Sequence, residues 1–361
     1  MSNLLVWVLR GLLALCLQLR YPAVRFQKEE SVRKDPAYAV YETYRYAYER
    51  YGYLFSYAEE TGGEGMVAAG NPSWQGEDGN AGAADREQES TGADGLKTEQ
   101  TGAGSALSAS SLARLQDYDY LIKQYFSVHA STTAYRSLMK VEKLLGTDVR
   151  LTKNPDVPQI LIYHTHASET YADYGPQNPD ASVAGAGSYL AELLRQRGWN
   201  VIHDTTAYDR KEGKLERSRA YTYALEGVQG ILQEHPTIEV ILDLHRDGVS
   251  DSLRLVQEIQ GKPTAKIMFF QGMSRTPEGE IAYLPNPYLQ ENLAFCFQMQ
   301  LACGRYPGFT RKIYLKGLRY NLHLRGRSSL IEAGAQTSTK EEVWNAMELL
   351  AEAADSVLQG E

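Results

Sequence analysis

Residues 158–171 read PQILIYHTHASETY, an apolar run that ends in His164, Thr165 and His166, with Glu169 three positions on. A second apolar run, IEVILDLHRD at 238–247, ends in His245, Arg246 and Asp247. A third, SSLIEAGA at 328–335, carries Glu332. Neutral imidazole and carboxylate are what a catalytic zinc takes, with one position left for water. H-x-H puts two imidazoles on one strand face, because residues i and i+2 share it. H-x-x-E puts an imidazole and a carboxylate together where a strand turns over. Three apolar runs thus deliver two His and a Glu, then a His, then a Glu. A zinc hydrolase needs three ligands and a carboxylate to take a proton from water.

Such side chains must be held by a scaffold, and the pattern around them supplies one. Short β-branched and aromatic runs read as buried strands. Polar groups at their carboxyl ends sit where open α/β sheets place ligands. Strands are expected at 160–163, 199–203, 238–245, 265–271, 312–315 and 328–333. Helices are expected at 188–197, 216–234, 287–304 and 341–358. Before them, 112–128 reads as a helix running into an extended piece, and 132–145 as a helix. This alternation implies an α/β fold, a mainly parallel sheet with helices on both faces. There are no internal repeats.

Composition bounds the rest. The chain has 361 residues, 43% of them hydrophobic, enough for one large domain and more. A net charge of −8 argues against a general nucleic-acid binder. Of the three cysteines, Cys296 and Cys303 fall on one expected helix. Two turns separate them, roughly 10 Å, too far for a disulfide.

The first 157 residues divide by composition. Residues 1–24 form a membrane-associated apolar segment, in which 4–19 is apolar except for Arg10. A spanning helix takes about 20 apolar residues, so this run reads as part of an anchor, a weak signal segment or an amphipathic surface helix. Residues 25–58 read as a tyrosine-rich helix, with Tyr38, Tyr41, Tyr44, Tyr48 and Tyr51 recurring every three or four positions. Residues 59–111, rich in Gly, Ala, Ser, Thr, Glu and Asp, bury too little apolar surface to fold alone and read as a disordered acidic linker. Residues 112–157 are lead-in helices, and 158–361 the catalytic domain.

The stretches IYHTHASETY, VIHDTT, ILDLHRDG, KIMFFQG, NPYLQENLA, YPGFTRKIY, RYNLHL and LIEAGAQTSTKEE resemble the successive motifs of stage II sporulation protein P. The resemblance covers about 110–361. It implies a zinc-dependent N-acetylmuramoyl-L-alanine amidase, which cuts the amide between the lactyl group of N-acetylmuramic acid and L-alanine of the stem peptide in peptidoglycan. It also implies a membrane-tethered, extracytoplasmic enzyme acting in engulfment, partnered by the sporulation lytic transglycosylase, stage II sporulation protein D. Carried over by position, His166, Glu169 and His245 are the zinc ligands and Glu332 the general base. Arg246 would hold a substrate carboxylate or the oxyanion, and Asp247 would orient a ligand His. Gly334 would let substrate approach closely, and Asn321 would contact it. Departures from the family pattern fall at Ala207-Tyr208-Asp209, Glu216-Arg217-Ser218 and Ser338-Thr339.

Two assignments stay open within this set. His164 is an alternative to Glu169 as ligand, and Glu332 an alternative ligand with Glu169 as base. Three other functions use the same residues. A metallocarboxypeptidase-like enzyme would need Arg246 or Arg311 for a terminal carboxylate. A non-catalytic peptidoglycan-binding module would have no need of Glu332. A barrel amidohydrolase would want eight βα units, more than the ordered region holds.

Overall fold

The computed structural model describes residues 108–361. The apolar segment, the tyrosine-rich stretch and the linker up to residue 107 lie outside the described residues. The chain begins with α1 (Ala109–Leu115), α2 (Tyr118–Tyr125) and β1 (Phe126–Val128). Helix α1 starts within the stretch assigned to the linker, capped by Ser108, whose hydroxyl accepts from the Ser111 N–H. The helix expected over 132–145 is reduced to α3 (Val141–Gly146). Thr132 and Thr133 are poor helix formers, and irregular chain over 132–135 followed by a turn at 136–138 takes their place.

The α/β body follows: β2 (Ile160–Tyr163), α4 (Val183–Gln196), β3 (Val201–His203), a small hairpin of β4 (Arg210–Lys211) and β5 (Lys214–Leu215), a 3-10 turn (Arg217–Arg219), α5 (Ala220–Glu234) and β6 (Val240–Asp247). Then come β7 (Val256–Ile259), β8 (Lys262–Ala265), β9 (Ile267–Gly272), β10 (Arg275–Thr276), β11 (Gly279–Glu280), α6 (Leu289–Cys303), β12 (Ile313–Lys316), β13 (Arg327–Ala335) and α7 (Lys340–Gln359). The β7–β8 hairpin was not expected from the sequence. Its turn, Gln260-Gly261, has φ of 52° and 76°, the two left-handed residues of a type I′ turn. Helix α7 opens on a capping box: Thr339 accepts from the Glu342 N–H, and the Glu342 carboxylate accepts from the Thr339 N–H at 2.9 Å.

The sheet has seven strands in the order β1-β12-β9-β13-β6-β2-β3. Every neighbouring pair is parallel except β9 and β13. Two parallel blocks therefore meet at one antiparallel seam. The ends of β2, β6 and β13 lie along one edge of the larger block.

Strand alternation sorts side chains onto two unlike faces. Ile160, Ile162, Leu242, Leu244, Phe269 and Ile331 point to the main core, under α3, α4, α6 and α7. Leu161, Tyr163 and Ile241 point the other way, onto Ala224, Val228 and Leu232 of α5. At the end of α5 that second face carries Phe270 and Leu330, covered by Tyr320 and Leu322 from a loop, with Tyr221, Tyr314 and Leu318 partly buried beside them. Helices lie on both faces, as expected, but unequally, and the thinner side leaves room for a cleft. Cys296 and Cys303 are both buried and free. Among the described residues no helix is long and apolar enough to cross a membrane.

Candidate active site

The cleft on the thinly covered face has a volume of about 310 Å³. Its lining includes His166, Glu169, His245, Arg246 and Glu332. His166 and Glu169 come from the turn after β2. His245 and Glu332 are direct partners in the β6/β13 register, so both project from adjacent strands onto one face.

His245 is fixed from two sides. Its Nε2 lies 2.8 Å from Asp243 Oδ1, and its Nδ1 lies 3.8 Å from Glu169 Oε2. The Asp243 contact is close but bent away from the ring N–H direction, so the aspartate acts on His245 chiefly as a charge. Asp243 is itself fully buried, accepting from the Thr165 N–H at 2.9 Å and the Thr165 hydroxyl at 2.6 Å. Burial pushes the His245 pKa down, but the carboxylates of Asp243, Glu169 and Glu332 outweigh it and hold it up to about 9. Glu169, also buried, accepts from Arg217 Nη2 at 2.6 Å and from the Arg246 N–H at 3.2 Å. His166 stands edge-on to the His245 ring at 5.3 Å and to the Tyr221 ring at 5.7 Å. Burial, with His245 and Arg217 nearby, lowers its pKa to about 3, so it is a neutral imidazole. Glu332 is partly open to the cleft, yet its Oε2 is buried without a partner. Burial, with Asp247 and Glu169 nearby, holds its carboxyl well above the usual carboxylate range against the pull of His245 and Arg311.

The residues present fit a zinc ion, although no three donors among the described residues stand closed at metal-holding distance. The His166 Nδ1 is buried and without a partner. The 3.8 Å between His245 Nδ1 and Glu169 Oε2 is near the roughly 3.4 Å that two ligands keep on a tetrahedral zinc. A carboxylate behind the far nitrogen of His245 is the usual support of a ligating histidine.

Other expected residues sit elsewhere. His164 is fully buried with both nitrogens engaged, Nδ1 donating to the Leu244 carbonyl at 2.8 Å and Nε2 lying 2.9 Å from His203 Nε2. A carbonyl only accepts, so His164 carries its proton on Nδ1 and accepts from His203. Neither nitrogen faces the cleft. Asp247 does not reach a ligand His. It pairs with Arg311 at 2.5 Å and accepts from the Gly248 N–H. The carboxylate against His245 is Asp243 instead, and Arg311 is paired with Asp247 and is not among the residues that line the cleft. Arg246 lines the cleft, its Nη1 donating to the Asp247 carbonyl and its Nε buried without a partner. Asn321 is buried away from the cleft, donating to the Tyr221 carbonyl at 2.8 Å. Gly334 has φ of +63°, and a Cβ there would meet Ser338 Oγ at 2.5 Å. It sits at the bulge of β13 and is not among the residues that line the cleft.

Sequence reasoning missed Asp243, and a signal existed: an acid inside an apolar strand, two residues before a histidine, is costly unless it is paired. Arg217, Tyr221, Phe270, Lys316 and Tyr320 also line the cleft. No spacing rule links them, since they arrive from five separate parts of the chain: the 3-10 turn, α5, β9, β12 and the loop after β12. Asp209, one of the departures noted above, is fully buried and accepts from the N–H and hydroxyl of Ser168, pinning the turn that carries His166 and Glu169.

The family model described as stage II sporulation protein P matches residues 68–355. No match was found among curated proteins. Among solved structures, the chain is similar to the N-acetylmuramoyl-L-alanine amidase AmiC2 of Nostoc punctiforme, at 11% identity and a TM-score of 0.36, over 58% of this chain and 98% of that one. It is also similar to the CwlD amidase from Clostridioides difficile, solved in complex with the GerS lipoprotein, at 16% identity and a TM-score of 0.33, over 56% and 97%. A third is the catalytic domain of CwlV, an amidase from Bacillus (Paenibacillus) polymyxa var. colistinus, at 11% identity and a TM-score of 0.33, over 56% and 97%.

Proposed function

The chain belongs to the stage II sporulation protein P family, and from that premise we propose that it is a zinc-dependent N-acetylmuramoyl-L-alanine amidase of peptidoglycan. The observation that carries the proposal is the gathering of His166, Glu169, His245 and Glu332 in one cleft from the ends of three strands. His166, Glu169 and His245 would hold the zinc. When bound, that ion supplies Lewis acidity to the scissile carbonyl and makes an attacking water easier to deprotonate. Glu332 takes the proton of that water and returns it to the leaving amine of L-alanine. A carboxyl held above its usual range suits this work, because proton transfer is most effective when the pKa lies near the working pH. Arg246, which also lines the cleft, holds the developing oxyanion or a nearby carboxylate. Asp243 keeps His245 in place, and Arg217 does the same for Glu169.

The same reading takes the enzyme to be tethered outside the cytoplasm and to work with the sporulation lytic transglycosylase, stage II sporulation protein D. The test is made on the purified protein. Zinc content is measured by elemental analysis, and release of stem peptides from sacculi is followed by mass spectrometry before and after chelation. Peptides with a free L-alanine N-terminus are the expected product. His166→Ala and His245→Ala should each lose zinc and cleavage together. Full zinc in either variant would remove that residue from the ligand set. Release of C-terminal amino acids instead would favour the carboxypeptidase alternative.

A further inference from the structure

The cleft holds more positive charge than its carboxylates use. Arg217 is tied to Glu169, and Arg311, behind the wall, to Asp247. Lys316 at the end of β12 also lines the cleft and is half-buried, its Nζ 6.0 Å from the centre of the Tyr320 ring. Among the described residues no carboxylate pairs with it. A cation held at an aromatic wall, at the far end of a cleft from the proposed metal ligands, is placed to meet an anion that arrives with the substrate.

The register sets how far along the substrate that anion lies. Lys316 pairs with Gly272 on β9, and Glu332 pairs with Met268 on the same strand. Lys316 is therefore two strands across and four residues along from Glu332, roughly 16 Å between Cα atoms at standard sheet spacings. An extended peptide advances about 3.5 Å per residue. With both side chains reaching into the cleft, the group that meets Lys316 stands about two to four residues from the scissile amide.

We propose that Lys316 is a specificity-determining subsite for a free carboxylate of the stem peptide, and that it fixes which end of the cleft receives peptide and which receives glycan. This rests on the amidase reading above. The muramic lactyl carboxyl is consumed in the scissile amide, so the glycan side offers no such anion. The stem peptide does, on its acidic second residue and on a diamino acid at its third. Where these groups are amidated the charge is gone.

The experiment uses the full zinc-loaded chain and synthetic muramyl tripeptides that differ only in carboxylate against carboxamide, at the second or at the third residue. The expected result is a kcat/KM about tenfold or more higher for the free carboxylate at one of the two positions, as a charge-assisted contact provides. The difference should lie mainly in KM. Lys316→Met should bring the paired substrates close to equality by lowering the rate on the carboxylate form. Lys316→Arg should keep the preference, and melting curves of both variants check that they fold. Equal rates on all substrates with wild type, or a preference that survives in Lys316→Met, overturns the subsite and leaves the amidase reading intact. No cleavage of any of them by wild type overturns the amidase reading and the subsite with it.

Discussion

Glu332 and Glu169 differ in what surrounds them, and the difference predicts how each fails. Glu169 is surrounded by donors from Arg217 and the Arg246 N–H and faces His245, the setting of a fixed anionic ligand. Glu332 has a buried oxygen without a partner and a raised pKa, the setting of a group that exchanges a proton. Glu332→Gln should therefore keep zinc while cleaving peptidoglycan at least about a hundredfold more slowly. Glu169→Gln should lose zinc. Metal content and turnover measured side by side decide this, and the opposite pairing of results would make Glu169 the base. Asp243→Asn is the third variant at this scale. It removes the charge behind His245, so zinc affinity should fall about 10- to 100-fold, read by competition with a chelator of known affinity. The four residues at strand ends were legible because polar groups following apolar runs stand out. Asp243 was hidden inside such a run, and Arg217 sits some fifty positions from the glutamate it holds.

At the level of elements, α4 and β3 meet through the His164–His203 pair, over which Gly187 of α4 packs so closely that a Cβ would stand 2.6 Å from His164 Nε2. Burial lowers the pKa of both histidines to about 4. Both are neutral in the fold and protonated more readily once unfolded, where the ordinary value is near 6.5. The stability they contribute is thus complete above pH 6.5 and is lost as pH falls toward 4. The unfolding midpoint in denaturant should drop across that window, and His203→Gln should flatten the slope there. An unchanged slope would mean that the pair does not set the acid limb. Most strands and helices were legible from their periodicity. The β7–β8 hairpin was not, because Gln-Gly is a weaker turn signal than Asn-Gly. The antiparallel seam was not either, because strand direction is set by how the chain returns and no local pattern records it.

Over the whole molecule, the core of residues 108–361 already includes Leu115 of α1, which is fully buried. A chain beginning at Ser108 should therefore fold, bind zinc and melt within a few degrees of the full protein. A start at Asp117 removes α1 and should lower the melting temperature clearly. Equal melting of the two would show that α1 contributes little.

The strand order has one more consequence, for the time before the enzyme is finished. Strand β13 is the last strand to be synthesised, yet it lies in the middle of the sheet, between β6 and β9. Until it emerges the two blocks cannot join, and His245 has no Glu332 beside it. The chain then carries the whole proposed ligand set, His166, Glu169 and His245, but not its base. A chain that stops before β13 therefore lacks both the proposed base and the strand that joins the two blocks of the sheet.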